Sequence, residues 1–452
     1  MTNKTARKIL LVTLEPVAKS MAGPAIRCLE LGKQLAREFS VTVASPVKVA
    51  TENALDLGQD PLSSQIKLLS GTSKTALYNE ASLCDILVIQ SNVLRPFPKL
   101  ATMGKYLVVD LYDPYLFTVL VQYKDKGKSG LASYRLMHNI LESHMVACDF
   151  AMCASERQRD YWLGRFCGIG RLTPDIYAFD HSLRKLIDLV PFGLQDKPPV
   201  KTGPGIKGVV NGISESDKVI LWGGGIWDWF DPLTVINAVN KIKDKIPNVR
   251  LYFMGVKSPN PKVVVMDMAN KAMELSQQLG LTNKFIFFEE GWTPYDKRVN
   301  CLLDADIAVS AHFDLPETRF SFRTRMLDYL WAGLPILTTC GDDLSLLIEQ
   351  KGAGISLPYE DVDSMAKAME KILLDENFEH SARAASSKLA EEFTWQQVSE
   401  KLVSFCRNPY HLPLFSKVTM PSIIERAQAV YARGGKDLII KRSKEVIQDI
   451  FR

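Results

Sequence analysis

The chain has 452 residues, 46% hydrophobic and 23% charged, with a net charge of +4. That balance excludes a disordered or fibrous polymer, and the length is too great for one core, so two large domains are expected. No apolar run reaches the roughly 18 residues that cross a bilayer, and eight cysteines without a C-x-x-C pair indicate neither a zinc site nor a disulfide framework.

In chain order, residues 8–14 (KILLVTL) follow a basic start. Glu15-Pro16 ends the apolar run too soon for a signal peptide, so it reads as a first buried strand. Further strand-length runs lie at 41–45, 85–90, 106–110 and 149–154. Ile26, Leu29, Leu31 and Leu35 share a helical face after Gly23-Pro24. Alternating strand and helix gives a parallel sheet covered on both sides, over residues 1–195. Residues 196–217, rich in proline and glycine, read as a linker. The alternation restarts over 218–393, with strands at 219–222, 249–254, 285–288, 306–310, 335–339 and 354–357. The fold class is therefore α/β, two doubly wound Rossmann-like domains. Ligands of such sheets bind at the carboxyl ends of the strands, so a cleft between the domains is the expected site. Residues 394–411 offer a helix able to cross back to the first domain.

Two stretches carry chemistry. In LWGGGIWDWFDPL (221–233), three glycines after a buried strand allow close approach to a ligand. The loop lacks both the dinucleotide fingerprint and the Gly-Lys-Ser/Thr of a phosphate loop. Trp227 and Trp229 are costly to expose unless they cover something. In RFSFRTRMLDYLWAGLPILTT (319–339), Ser321 is expected to cap a helix running from about Phe322 to Ala332. Unpartnered first-turn amides and Arg319, Arg323 and Arg325 would then seat a diphosphate. Asp328 reads either as a surface partner of Arg325 or as a carboxylate for a ribose. Asp304 and Asp306 have the Asp-x-Asp spacing of some metal sites, but the second heads a buried strand, and no metal is expected.

An acid followed by four residues, Gly-x-Pro and a β-branched strand, as in DYLWAGLPILTT, resembles the donor segment of GT-B fold glycosyltransferases, specifically the retaining family-4 group. The family's Glu-x7-Glu motif would end on Asp328 and begin on Phe320, which departs from the pattern; Glu317 is the nearest carboxylate. MAGPAIRCLELGKQLA (21–36) is similar to the family's first glycine loop, with Gly23 near a substrate and Arg27 behind it. LVPFGL (189–194) resembles the segment closing the first domain. GGGIWDWFDPL takes the place of the Gly-Arg…Lys-Gly loop without its Arg and Lys, and Tyr112 and Asp113 stand where the family often has a sugar-contacting His.

The resemblance implies two facing domains and metal-independent, hexosyl-type transfer with retention, in surface polysaccharide or glycoconjugate synthesis. The donor would be a nucleotide-diphosphate sugar, bound by Gly23, Gly224, Gly225, Trp227, Arg319, Ser321, Arg323, Arg325 and Asp328. The acceptor would be a glycan or lipid-linked glycan, with Asp113, Asp110 and Glu317 as catalytic candidates. Asp113-Pro114 reads equally as turn chemistry, and Ser155-Glu156-Arg157 as either a cleft segment or a helix cap. No cofactor is implied. Two rivals stand: a nucleotide-sugar 2-epimerase of the same fold, and an inactive sugar-binding or scaffolding subunit.

Residues 412–452 hold eight Lys/Arg and four Asp/Glu, an excess equal to that of the whole chain, so the body is neutral and no nucleic-acid partner is expected. Ile439, Ile440, Val446, Ile447 and Ile450 among these charges describe a basic amphipathic helix. It would lie on an anionic membrane or pack on protein. The expected location is cytoplasmic, with the inner face of the membrane as the site of any such contact.

Overall fold

A computed structural model describes residues 7–56, 61–256, 266–291 and 293–413, together with Lys436 and Ile440. The rest of the basic tail lies outside the described residues. The first sheet contains β1 (Lys8–Val12), β2 (Ser40–Ser45), β3 (Ile66–Ser70), β4 (Ile86–Gln90), β5 (Tyr106–Asp110), β6 (Phe150–Cys153) and β7 (Ile187–Leu189). Every pair is parallel, in the order β3-β2-β1-β4-β5-β6-β7. The second holds β8 (Lys218–Trp222), β9 (Val249–Phe253), β10 (Ile286–Phe288), β11 (Ile307–Ser310), β12 (Ile336–Thr339) and β13 (Gly354–Leu357). It too is all parallel, in the order β10-β9-β8-β11-β12-β13. Helices on both faces bury the central strands, which is why these read as unbroken apolar runs.

The strand order reverses beside β1 in one sheet and beside β8 in the other, and crevices open at such points, beyond the carboxyl ends. The domains share one continuous apolar cluster that includes Ile9 and Met152 of the first, Leu221 and Ile336 of the second, and Phe192, Leu194 and Trp395 between them. Gly193 lies there because a Cβ would come within 2.6 Å of the Trp395 ring. The helices Trp395–Val398 and Glu400–Arg407 return to the first domain. Phe405 stacks on Phe150 with centroids 5.2 Å apart, and Arg407 pairs with Glu38 at 2.6 Å.

The segment 196–217 is tied to the second domain rather than free. Asn300 Oδ1 accepts from the amides of Thr202 and Gly203, and Asp304 accepts from Ile206, Lys207 and Lys201. Asp306 accepts from the Val219 amide and from Lys207. The Asp-x-Asp pair thus anchors the connection. No group of three His, Cys, Asp or Glu able to hold a metal occurs among the described residues, and no described helix is long and apolar enough to cross a membrane.

Candidate active site

A cavity of about 570 Å³ lies between the domains. The first domain contributes Glu15, the segment Met21–Pro24 and the turn after β5 (Tyr112–Tyr115). The second contributes the loop after β8 (Gly223–Phe230), Tyr295, Arg298 and the stretch from Glu317 to Asp328. Of the sequence-derived candidates, Gly23, Asp113, Gly224, Gly225, Trp227, Glu317, Ser321, Arg323, Arg325 and Asp328 line it. Asp110 and Arg319 do not.

The loop after β8 needs its glycines for two different reasons. Gly224 has φ +94°, a left-handed conformation that favours glycine. At Gly223 a Cβ would sit 2.8 Å from the Tyr329 ring, whose hydroxyl accepts from the Gly223 amide at 2.7 Å and donates to the Val309 carbonyl at 3.1 Å. Trp227 and Trp229 stack in parallel, centroids 5.6 Å apart, and both line the cavity. The Asp228 carboxylate fixes the loop by accepting from the Met268 amide at 3.0 Å.

The helix expected from Phe322 to Ala332 is present as Thr324–Trp331, and a separate short helix, Pro316–Phe320, precedes it. Pro316 starts the first, and Ser321 closes it instead of capping the second. The Ser321 hydroxyl is engaged with the carbonyl (2.8 Å) and carboxylate (2.6 Å) of Glu317. Arg323 precedes the second helix and grips Glu317 with two bonds, Nη1 at 2.9 Å and Nη2 at 2.6 Å, both residues being buried. Its charge is neutralised at the cavity wall. Arg319 is exposed on the short helix, away from the cavity, where its carbonyl accepts from Arg157 at 3.4 Å.

Arg325 keeps its charge. Nη2 donates to the Gly225 carbonyl at 2.7 Å, the guanidinium carbon lies 4.1 Å from the Phe230 ring centroid and 4.9 Å from that of Trp222, and Nη1 is buried without a hydrogen-bond partner among the described residues. Burial draws its pKa down to about 10, opposed by Tyr329 and aided by Arg323, so it stays protonated at neutral pH. Asp328 does not pair with Arg325. It accepts from Arg298 Nε at 3.2 Å and Nη2 at 3.1 Å, and Arg298 stacks 3.8 Å from the Tyr295 ring centroid. Nothing in the sequence around Arg298 singled it out, because its partner is thirty positions away.

On the first domain, Asp110 is buried behind the wall, bonded by Arg27 Nε at 2.7 Å and Nη2 at 2.9 Å. Arg27 also donates to the carbonyls of Val190 and Pro191, and lies 4.9 Å from the Tyr112 ring centroid. Asp113 lines the cavity and accepts no hydrogen bond among the described residues. Burial, and then the nearby Glu317 and Asp110 carboxylates, push its pKa up to about 7 against the pull of Arg323. Ser155 caps the helix Glu156–Gly168 by accepting from the Gln158 amide, and Arg157 crosses to the second domain to meet Asp343 at 3.1 Å.

Residues 217–375 match the family model described as Glycosyl transferases group 1. An uncharacterized glycosyltransferase of Methanocaldococcus jannaschii is 24% identical over 194 residues. Those residues are 43% of this chain and 45% of that protein, so the chain spans under half the length of this curated relative. The fold is that of GT-B proteins. Sucrose-phosphate synthase from Thermosynechococcus elongatus superposes with TM-score 0.58 at 14% identity, covering 89% of this chain and 98% of that one. WaaG, a glycosyltransferase involved in lipopolysaccharide biosynthesis, gives 0.60 at 15% identity, over 88% and 100%. Anabaena HepE in complex with UDP and glucose gives 0.61 at 13%, over 89% and 99%. The solved structures show the GT-B fold, and the family match covers residues 217–375 within it.

Proposed function

We propose that the chain transfers a sugar from a nucleotide-diphosphate sugar to a glycan or lipid-linked glycan acceptor, with retention at the anomeric carbon. The product would be a surface polysaccharide or glycoconjugate, made at the cytoplasmic face of the membrane. The observation that carries this is Arg325, a cation with one unpartnered nitrogen at the wall of the cavity between the domains, beside the start of the helix Thr324–Trp331. The crystallisation of HepE with UDP and with UDP-glucose supports the donor class.

In the reaction the bond from the anomeric carbon to the diphosphate oxygen breaks, and negative charge grows on the departing group. Arg325 and the first-turn amides of its helix stabilise that charge, in place of a metal. The acceptor hydroxyl oxygen bonds to the anomeric carbon on the same face, and its proton passes to the departing phosphate oxygen. Asp113 orients a sugar hydroxyl across the cleft. Asp110 positions Tyr112 and the turn after β5 through Arg27. Glu317 holds Arg323 and Ser321 in the opposite wall.

A thermal-shift screen of UDP, GDP, ADP and dTDP sugars tests donor binding, since a ligand at a hundred times its Kd stabilises by about 2.7 kcal/mol. Nucleoside diphosphate released only with acceptor separates transfer from epimerisation. Arg325→Ala should abolish the shift and lower kcat by about 10²–10³, with ligand-free melting reporting folding. Parental binding and turnover in a folded Arg325→Ala would overturn the reading.

A further inference from the structure

The helices Tyr115–Tyr123 and Gly127–Ala147 form a hairpin on the first domain with two unlike sides. Its inner side reaches the cavity, where Tyr115, Thr118 and Gln122 form part of the wall. The outer side leaves large apolar groups in water: Leu120 is 48% exposed, Leu131 50% and Leu136 46%. Along the longer helix the exposed positions Lys128, Leu131, Ala132, Arg135, Leu136 and Asn139 recur at three- and four-residue spacing, so they form one face.

That face and the turn leading into it are cationic as well as apolar. Lys124, Lys126, Lys128 and Arg135 are all exposed, and none makes an ion pair or side-chain hydrogen bond among the described residues. Asp125 is the acid within the stretch, and residues 124–135 carry a net charge of +3. Glu142, further along, lies 3.9 Å from His138 instead. Elsewhere on this surface, lysines find carboxylates, as Lys67 does Glu80 at 2.6 Å and Lys241 does Asp363. Unpaired cations interleaved with exposed leucines suit a partner that is anionic at its surface and apolar just beneath, which is the chemistry of a lipid headgroup layer.

We propose that the outer face of this hairpin docks on an anionic membrane surface, with the leucines entering the headgroup region and the cations meeting the lipid phosphates. Because the same short helix forms cavity wall on its other side, docking sets the cleft beside the bilayer. Delivery of a lipid-linked acceptor there rests on the transferase reading above, whereas the docking does not.

The test is co-sedimentation of the full-length chain with phosphatidylcholine vesicles, with and without phosphatidylglycerol. The parent should bind the anionic vesicles and be released by high salt. The charge reversal Lys124→Glu/Lys126→Glu/Lys128→Glu should weaken partitioning by about fivefold or more per site, and Leu131→Ser/Leu136→Ser should weaken it with the cations intact. The basic tail stays unaltered throughout, so any binding the hairpin variants retain is not the hairpin's. Equal binding by parent and variants overturns the proposal, as does a parent that ignores anionic vesicles. Concentration-dependent dimerisation lost in the same variants would assign the face to a second copy and also overturn it. Turnover with a water-soluble acceptor should be unchanged in the variants. A parent that binds vesicles through the hairpin but transfers no sugar would sink the transferase reading and leave the docking standing.

Discussion

The two walls of the cleft are built alike but charged differently. Each has a neutralised arginine–carboxylate pair, Arg27–Asp110 behind the first wall and Arg323–Glu317 in the second. Among the described residues, the first domain also presents a carboxyl without a hydrogen bond, Asp113, and the second presents Arg325, whose guanidinium has no carboxylate partner and whose Nη1 is unpartnered. The cleft therefore has a polarity that no count of its charges would show. An anion belongs on the Arg325 side, and a hydroxyl on the Asp113 side, where a carboxyl titrating near pH 7 can donate or accept a hydrogen bond.

The largest way to break this symmetry of pairs is Glu317→Ala. It leaves Arg323 buried without its counter-charge, and removing one member of a buried pair costs about 3–5 kcal/mol. Urea unfolding should show that loss. Glu317→Ala/Arg323→Met should recover much of it, because the stranded charge is gone. Full stability in Glu317→Ala would mean that the wall does not depend on the pair.

Asp113→Asn acts on the unpaired side, with a smaller effect and a distinct pH signature. The folded carboxyl titrates at about 7 against an ordinary 3.8. Between about pH 4 and 7 the folded chain thus holds a proton that the unfolded chain has released, and stability falls as pH rises through that window. The penalty is absent below pH 4 and complete above pH 7. The asparagine variant should melt at the parent's temperature in acid and above it at alkaline pH, by roughly 1 °C per kcal/mol relieved in a cooperative unit of this size. Any limb of the parent's pH–rate profile near 7 should disappear with it. Parallel melting curves for parent and variant across the range would remove Asp113 as the titrating group.

The sheets were largely legible in the sequence because their inner strands are buried on both faces and read as apolar runs. The edges were not. In β3 (IKLLS) only Ile66 is fully buried, and β7 is three residues long, so neither stands out from loop. Local features of the site were legible too, notably the glycine loop and its indoles. Side-chain pairing was not. Three arginines in seven positions suggested pooled charge, yet one is exposed outside the cavity, one is neutralised by Glu317 and one remains. Asp328 was weighed against its neighbour Arg325, but the fold supplies Arg298. Such choices are made by tertiary proximity, which spacing along a helix cannot express.

Phe320 joins the two walls, and the smallest expected effect concerns it. It occupies the position where the family resemblance places an acid, but its ring stacks on Phe117 (centroids 5.5 Å, planes 10° apart) and lies 5.1 Å from Tyr161, both on the first domain. Gln158 Nε2 donates to the Phe320 carbonyl and to the Tyr112 carbonyl, each at 2.8 Å, so one side chain ties the Glu317 helix to the turn that carries Asp113. An acid could not sit between two aromatic faces without losing its hydration, which explains why the carboxylate of this wall is at Glu317 instead. Phe320→Ala should forgo about 0.5–1.5 kcal/mol of ring packing and loosen the approach of the domains. Solution scattering should report a larger radius of gyration, and KM should rise more than kcat falls, because each wall keeps its own groups. Phe320→Glu sharpens the contrast: if the ring is a clasp, this variant is worse than Phe320→Ala, whereas a gain in turnover would show that the position still belongs to the chemistry.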